Sequence, residues 1–130
     1  MRTAMIFHRT HRWAPLPDER LATLPEGSIV RVVVGRRALA VARVDGVLRG
    51  MEDRCPHQAA LLSKGFVKDG HVVCAVHRFH YHAATGACRM AMTGPVAVFP
   101  LREAGGRVEV GLPATALRLF GRDLIIRGGK

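Results

Sequence analysis

The chain lacks the features expected of a membrane protein, a secreted protein or a disulfide-bonded scaffold. It contains no run of about 18 apolar residues, which a membrane-spanning helix needs. Its first 13 residues include Arg and His but no apolar segment of the kind found in a secretory signal. Only three of the 130 residues are Cys, and an odd number argues against a disulfide framework. We therefore expect a cytoplasmic protein in which at least two Cys bind a metal.

Aromatic and acidic residues are also scarce. Phe, Trp and Tyr make up 5% of the chain, and 10 acidic residues accompany 20 Lys and Arg, which gives a net charge of +10. The basic residues are scattered rather than gathered in a tract, and few aromatic side chains are available to stack on bases. The sequence therefore does not favour nucleic-acid binding. Solvated surface charge is the simplest explanation, and attraction of an acidic protein partner is the next.

Short apolar segments that alternate with turn signals predict an all-β fold, either a sandwich or a barrel. Ile29–Val34 is rich in β-branched residues. Asp45-Gly46 and Asp69-Gly70 each lie between apolar segments and are strong hairpin signals. Residues 104–106 predict a third turn. The repeated pattern indicates several short strands in one domain of ordinary size, residues 1–130.

The two ends of the chain give weaker patterns. Residues 18–24, which follow a proline and begin with acidic residues, predict a short helical turn. Residues 114–120 are compatible with another helical turn, and residues 124–126 predict a final strand. We expect residues 127–130 to be frayed.

Two short pairs of potential metal ligands dominate the sequence, Cys55-Pro56-His57 and Cys74-Ala75-Val76-His77, with sixteen residues between them. Each pair supplies one thiolate and one imidazole and follows a predicted strand. Two Cys on one iron and two His on the other are the ligands of one class of [2Fe-2S] centre. The pairs therefore predict one-electron chemistry.

A zinc site and a purely structural role are alternatives to a [2Fe-2S] centre. Two Cys and two His also suit a structural zinc site, although common zinc modules bring a Cys pair first and a His pair later. In the structural alternative, the Cys are small buried apolar residues and the His are surface groups, which is the usual situation for a lone residue of either type. The repetition of the pair disfavours this structural alternative.

The region from Cys55 to Pro95 resembles the Rieske family, whose motif is C-x-H, a spacer of this length, and C-x-x-H. The resemblance spans residues 13–110. It includes further matches outside the ligands, namely the Leu-Ser-Lys-Gly stretch at 62–65, Tyr81, the Thr-Gly turn in 84–86, the Thr-Gly-Pro loop at 93–95, and framework at 13–16 and 99–101.

This resemblance implies a ligand set. Cys55 and Cys74 would bind one iron of a [2Fe-2S] cluster, and His57 and His77 would bind the other. Pro95 would belong to a third loop that covers the cluster. The chain would carry electrons without a catalytic site of its own, with the two His at its exposed exit edge.

The resemblance also implies an architecture and partners. We expect stacked small antiparallel sheets, with a cluster-binding subdomain at about 52–92 inserted in a β base and a C-terminal extension at 112–130. The electron donor would be a reductase, and the acceptor an oxygenase or a similar terminal enzyme. The alternatives are a small subunit bound to the large subunit of a nitrite-reductase-like enzyme, a redox sensor and, in a different class, a structural zinc module.

Several positions depart from the family pattern. Ala59 stands where many relatives have Gly, and Arg78 follows the second His where they usually have Gly, which leaves the backbone there in question. Ala60 and Val76 replace the disulfide cysteines of respiratory members. Phe79 replaces a Ser that donates to a cluster sulfur in those members.

We expect these differences to lower the reduction potential, because fewer donors to sulfur stabilise the reduced cluster less. Tyr81, as a donor to a Cys sulfur, and Arg78, as a nearby cation, would act in the opposite direction. Cys88 is predicted to be a semi-buried structural thiol. His80 and His82 are predicted to share one face of a strand at the surface.

Overall fold

The computed structural model describes residues 5–56, 59–90, 93–119 and 122–128. These residues form strands, turns and two short 3-10 helices, and they contain no helix long and apolar enough to cross a membrane. The prediction of an all-β fold is confirmed. The strands are β1 Met5–Pro15, β2 Ile29–Val34, β3 Arg37–Val44, β4 Val47–Glu52, β5 Phe66–Lys68, β6 His71–Val73, β7 His80–His82, β8 Val98–Phe99, β9 Leu101–Ala104, β10 Arg107–Leu119 and β11 Arg122–Gly128; the 3-10 helices are Leu21–Thr23 and Leu62–Lys64.

The described strands form three antiparallel sheets. The first has the order β1-β10-β11, with β9 also paired to β10, and the second has the order β2-β3-β4-β8. The third sheet, β5-β6-β7, lies in sequence between β4 and β8. The predicted turns at Asp45-Gly46 and Asp69-Gly70 connect β3 to β4 and β5 to β6, and all four of these residues have positive φ. This conformation is typical of two-residue hairpin turns.

The ends of the chain differ from their sequence patterns. The helical turn expected at 114–120 is wrong, because residues up to Leu119 belong to β10; residue 120 lies outside the described residues. β10 pairs with the whole length of β1, from Met5 opposite Leu119 to Pro15 opposite Glu109. Long-range pairing of this kind overrides weak local helix preference.

The remaining terminal predictions have mixed outcomes. The strand expected at 124–126 is confirmed as part of β11. Residues 127 and 128, which we expected to be frayed, pair with β10 opposite Thr115 and Ala114, whereas residues 129–130 lie outside the described residues. The helical turn expected at 18–24 is present as the 3-10 helix Leu21–Thr23.

Strand β3 separates two hydrophobic cores. Its central residues are all at most 1% exposed, so both of its faces are buried. Leu39 and Val41 point into one core, which we call the base core; Ala40 and Ala42 point into the other, the thiol core. This follows from the two-residue period of a strand, which sends neighbouring side chains to opposite faces.

The two cores have different contents. The base core contains only aliphatic residues and one Phe: Leu16, Leu21, Leu24, Val32, Leu39, Val41, Leu48, Phe99, Val108, Val110 and Leu112. The thiol core lies between the second and third sheets and contains Ala40, Ala42, Val44, Met51, Cys55, Leu62, Val72, Cys74, Phe79, Tyr81, Ala83 and Val96. The predicted Cys ligands therefore lie inside a packed core rather than at its edge.

Candidate metal centre

The first ligand loop begins where β4 ends, and a buried carboxylate holds its base. Asp53 is 3% exposed and accepts three hydrogen bonds. The donors are the Ser63 backbone N–H at 2.7 Å, the Ser63 hydroxyl at 2.6 Å and Nη1 of Arg31 at 2.8 Å. These bonds join β2, the end of β4 and the second 3-10 helix. A buried carboxylate with three donors is well satisfied, so it fixes the loop instead of weakening it.

Cys55 lies two residues beyond this carboxylate. Its backbone N–H donates to the Ala60 carbonyl at 2.8 Å, which closes the loop on itself. The Cys55 side chain is 2% exposed. His57, its predicted companion ligand, lies outside the described residues. Ala59, where relatives often have Gly, is exposed on the same loop.

The second ligand loop connects β6 to β7. The Cys74 backbone N–H donates to the Phe79 carbonyl at 2.9 Å, and the Arg78 N–H donates to the Val76 carbonyl at 2.8 Å. His77 and Arg78 both have positive φ, 59° and 55°, a region that favours glycine. Arg78 therefore adopts the conformation that a glycine would adopt with less strain, and the hydrogen bonds of the loop hold it there.

The two loops bring the predicted Cys ligands together. Burial is the main cause of the raised pKa of Cys74; a hydrogen bond from the Val76 N–H opposes it, and contact with the Cys55 thiol adds to it. The Tyr81 hydroxyl lies 3.1 Å from the Cys55 sulfur. Burial also raises the pKa of Tyr81, as does this contact with Cys55. The phenol therefore keeps its proton and is a donor to a Cys55 thiolate.

The residues present fit a cationic metal group. Cys55 and Cys74 lie in an apolar core and form no disulfide, and two adjacent buried thiolates require nearby positive charge. An oxidised [2Fe-2S] core supplies that charge. His77, by contrast, is exposed, so the described donors are buried on the Cys side and accessible on the His side. Among the described residues, no three Cys, His, Asp or Glu side chains gather around one ion; a two-iron centre divides its ligands between two metals and does not need such a group.

Two glycines allow other segments to approach this site closely. A Cβ at Gly65 would collide with the carbonyl oxygen of Val73, the residue before Cys74. Likewise, a Cβ at Gly86 would collide with the Val96 carbonyl oxygen. The Val96 N–H donates to the Gly86 carbonyl at 3.0 Å, which holds the third loop just beyond the exposed Pro95. Glycine at these positions is thus required by backbone packing.

The remaining thiol and the histidines lie around β6 and β7. Cys88 is half-buried, as expected, and its backbone pairs with that of Tyr81 in an isolated β-bridge; a structural role for its thiol stays a prediction. His80 and His82 both face the ring of His71, with ring centroids 6.2 and 5.3 Å away. His82 is exposed, as expected, but His80 is half-buried, and its Nδ1 has no hydrogen-bond partner in the described part of the chain.

Sequence reasoning missed the role of Asp53. One of its partners, Ser63, belongs to the Leu-Ser-Lys-Gly stretch that was noted in the sequence. Asp53 lies ten residues before Ser63, however, and Arg31 lies 22 residues before Asp53. Only the fold shows that these three side chains meet.

Comparison with known proteins decides the family. The model of the Rieske [2Fe-2S] domain matches residues 13–100, which include both ligand pairs and the framework on either side. The chain belongs to the Rieske [2Fe-2S] domain family. The predicted family and its [2Fe-2S] cofactor are therefore confirmed.

Curated relatives include ferredoxin components of dioxygenase systems. The chain is 43% identical over 79 residues to the anthranilate 1,2-dioxygenase ferredoxin subunit of Burkholderia cepacia, covering 60% of this chain and 73% of the relative. It is 29% identical over 104 residues to the ferredoxin component of the naphthalene 1,2-dioxygenase system of Pseudomonas aeruginosa, covering 79% and 98%. The prediction that this Rieske protein is a one-electron carrier is confirmed.

Solved structures agree with this assignment. The Sphingomonas yanoikuyae B1 ferredoxin has a TM-score of 0.68 and 26% identity, and the alignment covers 77% of this chain and 98% of that one. A chain in the complex of reduced oxygenase and oxidized ferredoxin of carbazole 1,9a-dioxygenase has a TM-score of 0.64 and 33% identity, covering 69% and 95%. The predicted Rieske fold of small antiparallel sheets is confirmed.

Proposed function

We propose that this Rieske protein is the ferredoxin component of a multicomponent oxygenase system. In this proposal Cys55 and Cys74 bind one iron, and His57 and His77 bind the other. The buried pair of thiols beside Tyr81, set against the exposed His77, is the observation that carries the ligand assignment. The names of the relatives, which are ferredoxin components of dioxygenase systems, support the oxygenase partner.

Different residues around such a site would have different roles. The cluster would supply reversible one-electron chemistry. The thiol core excludes water from the Cys side, where Cys74 is 0% exposed, and the Tyr81 hydroxyl, 3.1 Å from the Cys55 sulfur, would donate to a Cys55 thiolate. The His77 side faces solvent, so an electron leaving by that edge crosses little protein. We propose that Arg78 and Pro95, both exposed near this edge, lie close to the cluster without binding it.

The proposed partners are a reductase and an oxygenase with acidic docking surfaces. The net charge of +10 supports this, since opposite charges accelerate encounter between proteins. Electron-transfer rates should fall as ionic strength rises; rates independent of salt would contradict acidic partners. We also propose a cytoplasmic location, in keeping with three cysteines that form no disulfide.

Metal analysis and spectroscopy of the anaerobically purified chain test the ligand assignment. We expect a reddish-brown protein with about two iron and two acid-labile sulfide per chain. After reduction, electron–nuclear double resonance should detect hyperfine coupling to two histidine nitrogens, and a His77→Ala variant should lose one of them or the whole cluster. A colourless protein with one zinc would contradict the proposal, as would a cluster without nitrogen coupling.

A further inference from the structure

A cavity rich in arginine lies beside the first ligand loop. Its volume is about 420 Å³. Its charged lining residues are Arg31, Arg36, Arg37, Arg54, Glu52 and Asp53. The arginines come from β2, the β2–β3 turn, β3 and the ligand loop, so the fold gathers them from separate segments. Such a concentration of guanidinium groups would repel itself unless an anion offsets it.

The charges inside the cavity do not balance. Arg31 is paired with the buried Asp53 at 2.8 Å, and Asp53 is fully occupied by this pair and by Ser63. Arg36, Arg37 and Arg54 then face Glu52 as the remaining carboxylate of the lining. The cavity thus carries an excess of two positive charges in addition to the general charge of the surface.

Arg37 supplies an unused hydrogen-bond donor. Its guanidinium carbon lies 4.8 Å from the centre of the Phe99 ring, a cation–π contact that fixes the side chain. Its Nε is buried, and none of the described residues accepts a hydrogen bond from it. A buried donor without an acceptor costs free energy, which an acceptor that reached it would offset.

The cavity is also in contact with the electron-transfer site. Arg54 directly precedes Cys55, and Ala59 and Leu61, from the other side of the same loop, complete the lining. Arg36, Arg54 and Ala59 are exposed, so the cavity opens at the surface. A group bound in this cavity would therefore contact the first ligand loop directly.

From these observations we propose that the cavity binds a carboxylate side chain, Asp or Glu, of the electron-transfer partner and so docks that protein against the first ligand loop. Guanidinium groups match carboxylates in planar, paired hydrogen bonds, and an open cavity admits a protruding side chain. The inference deepens the proposed function and rests on it, because the partner is the one that exchanges electrons with the cluster.

Peptide binding to the cluster-loaded protein tests the proposal. A fluorescein-labelled hexaglutamate peptide is titrated with the parent protein, with Arg36→Glu/Arg54→Glu, and with Arg12→Glu/Arg107→Glu, using fluorescence anisotropy. The control arginines are exposed residues of β1 and β10 outside the cavity, and both double variants change net charge equally. The cavity variant should bind at least about tenfold more weakly than the control variant, as expected when paired charge-assisted hydrogen bonds are lost.

Equal weakening in the two variants would overturn the proposal, because only general charge would then be involved. Inorganic phosphate that displaces the peptide and binds the parent more tightly than the peptide does would also overturn it, in favour of a free-anion site.

Because Arg54 adjoins Cys55, visible absorption and iron content are measured for each variant; if Arg54→Glu loses the cluster, Arg36→Glu alone is compared with Arg107→Glu. Absence of iron in the parent would contradict the proposed function, whereas an intact cluster without cavity-specific binding would contradict this inference alone.

Discussion

The base core and the thiol core meet at β3 but are filled by different chemistry. On one side Leu39 and Val41 pack among aliphatic residues, and on the other Ala40 and Ala42 pack near two thiols and a phenol. Apolar burial needs nothing but exclusion of water, so the base core is complete as a set of side chains. The thiol core contains groups whose charge and hydrogen bonding depend on a metal.

This difference indicates a division of labour. The base core stabilises the domain by burying apolar area, about 1.5–3 kcal/mol for each fully buried Leu or Val. The thiol core, in contrast, contains fewer large aliphatic side chains and holds Cys55 and Cys74, the proposed ligands. Substitutions in the base core should therefore change stability with little effect on the cluster. Substitutions in the thiol core should affect the cluster more than they affect stability.

The largest effect should come from removing a Cys ligand. Cys74→Ser should abolish nearly all bound iron and visible absorption, because a buried hydroxyl replaces a thiolate that soft iron–sulfur centres require. Iron analysis and absorption spectra provide the measurement. Cys88→Ser is the matched control, since Cys88 is a half-buried thiol of the same region and should leave the cluster in place. Equal loss in both variants would contradict the ligand assignment.

A truncation in the base core should give the next largest effect, on stability alone. Leu39 is 0% exposed, and Leu39→Ala should lower the free energy of unfolding by about 2–5 kcal/mol, as cavity-forming substitutions do. Chemical denaturation measures this change, and absorption of the folded fraction should remain that of an intact cluster. Val33→Ala, at a position 54% exposed, should change stability by less than about 0.5 kcal/mol. Loss of the cluster from folded Leu39→Ala would show that the two cores are not separable.

A third substitution concerns the potential of the cluster. Tyr81→Phe removes the hydroxyl 3.1 Å from the Cys55 sulfur, a hydrogen bond that strengthens as the centre becomes more negative. The reduction potential should fall by tens of millivolts, with about 59 mV for each tenfold change in a one-electron equilibrium. Redox titration measures it. Phe66→Leu, an exposed aromatic position on β5, should leave the potential unchanged; a potential unaffected by Tyr81→Phe would refute donation to the sulfur.

The smallest expected effect is a pH dependence in the third sheet. Burial lowers the pKa of His80 below its ordinary value of 6.5, with contributions from the positive charges of Arg89, His71 and Lys68 and a smaller opposing one from Asp69. A lowered folded pKa means that stability is fully present above the ordinary pKa and is lost as the pH falls through the folded value. His80→Gln should therefore show a smaller drop in Tm than the parent between about pH 7.5 and about pH 5.5.

His11→Gln, an exposed position on β1, serves as the control in the other region and should retain the full pH dependence. Contributions that all variants share, including those of the proposed ligand histidines, cancel in this comparison. If His80→Gln and the parent lose stability in parallel, burial of His80 has no effect on pH sensitivity.

Local sequence signals predicted the parts of the fold that are local. Hairpins at Asp45-Gly46 and Asp69-Gly70 are encoded in the turn residues themselves, and the ligand pairs are short motifs. The pairing of β1 with β10 is not local: it joins the two ends of the chain, so residues 114–119 gave a misleading helical pattern. The same reason explains why Asp53 escaped notice. Its role depends on hydrogen bonds from Arg31 and Ser63, residues that the fold brings next to Asp53 from separate segments.

The double burial of β3 has a consequence for how this fold tolerates change. A slip of one residue in its pairing would exchange the two faces, pressing Leu39 and Val41 against the sulfurs and leaving alanines to fill the space between the larger sheets. The alternation of large and small side chains along β3 thus permits only one pairing register. An insertion in this strand would disrupt the packing of both cores at once, whereas an insertion at the exposed Asp45-Gly46 turn would disrupt neither.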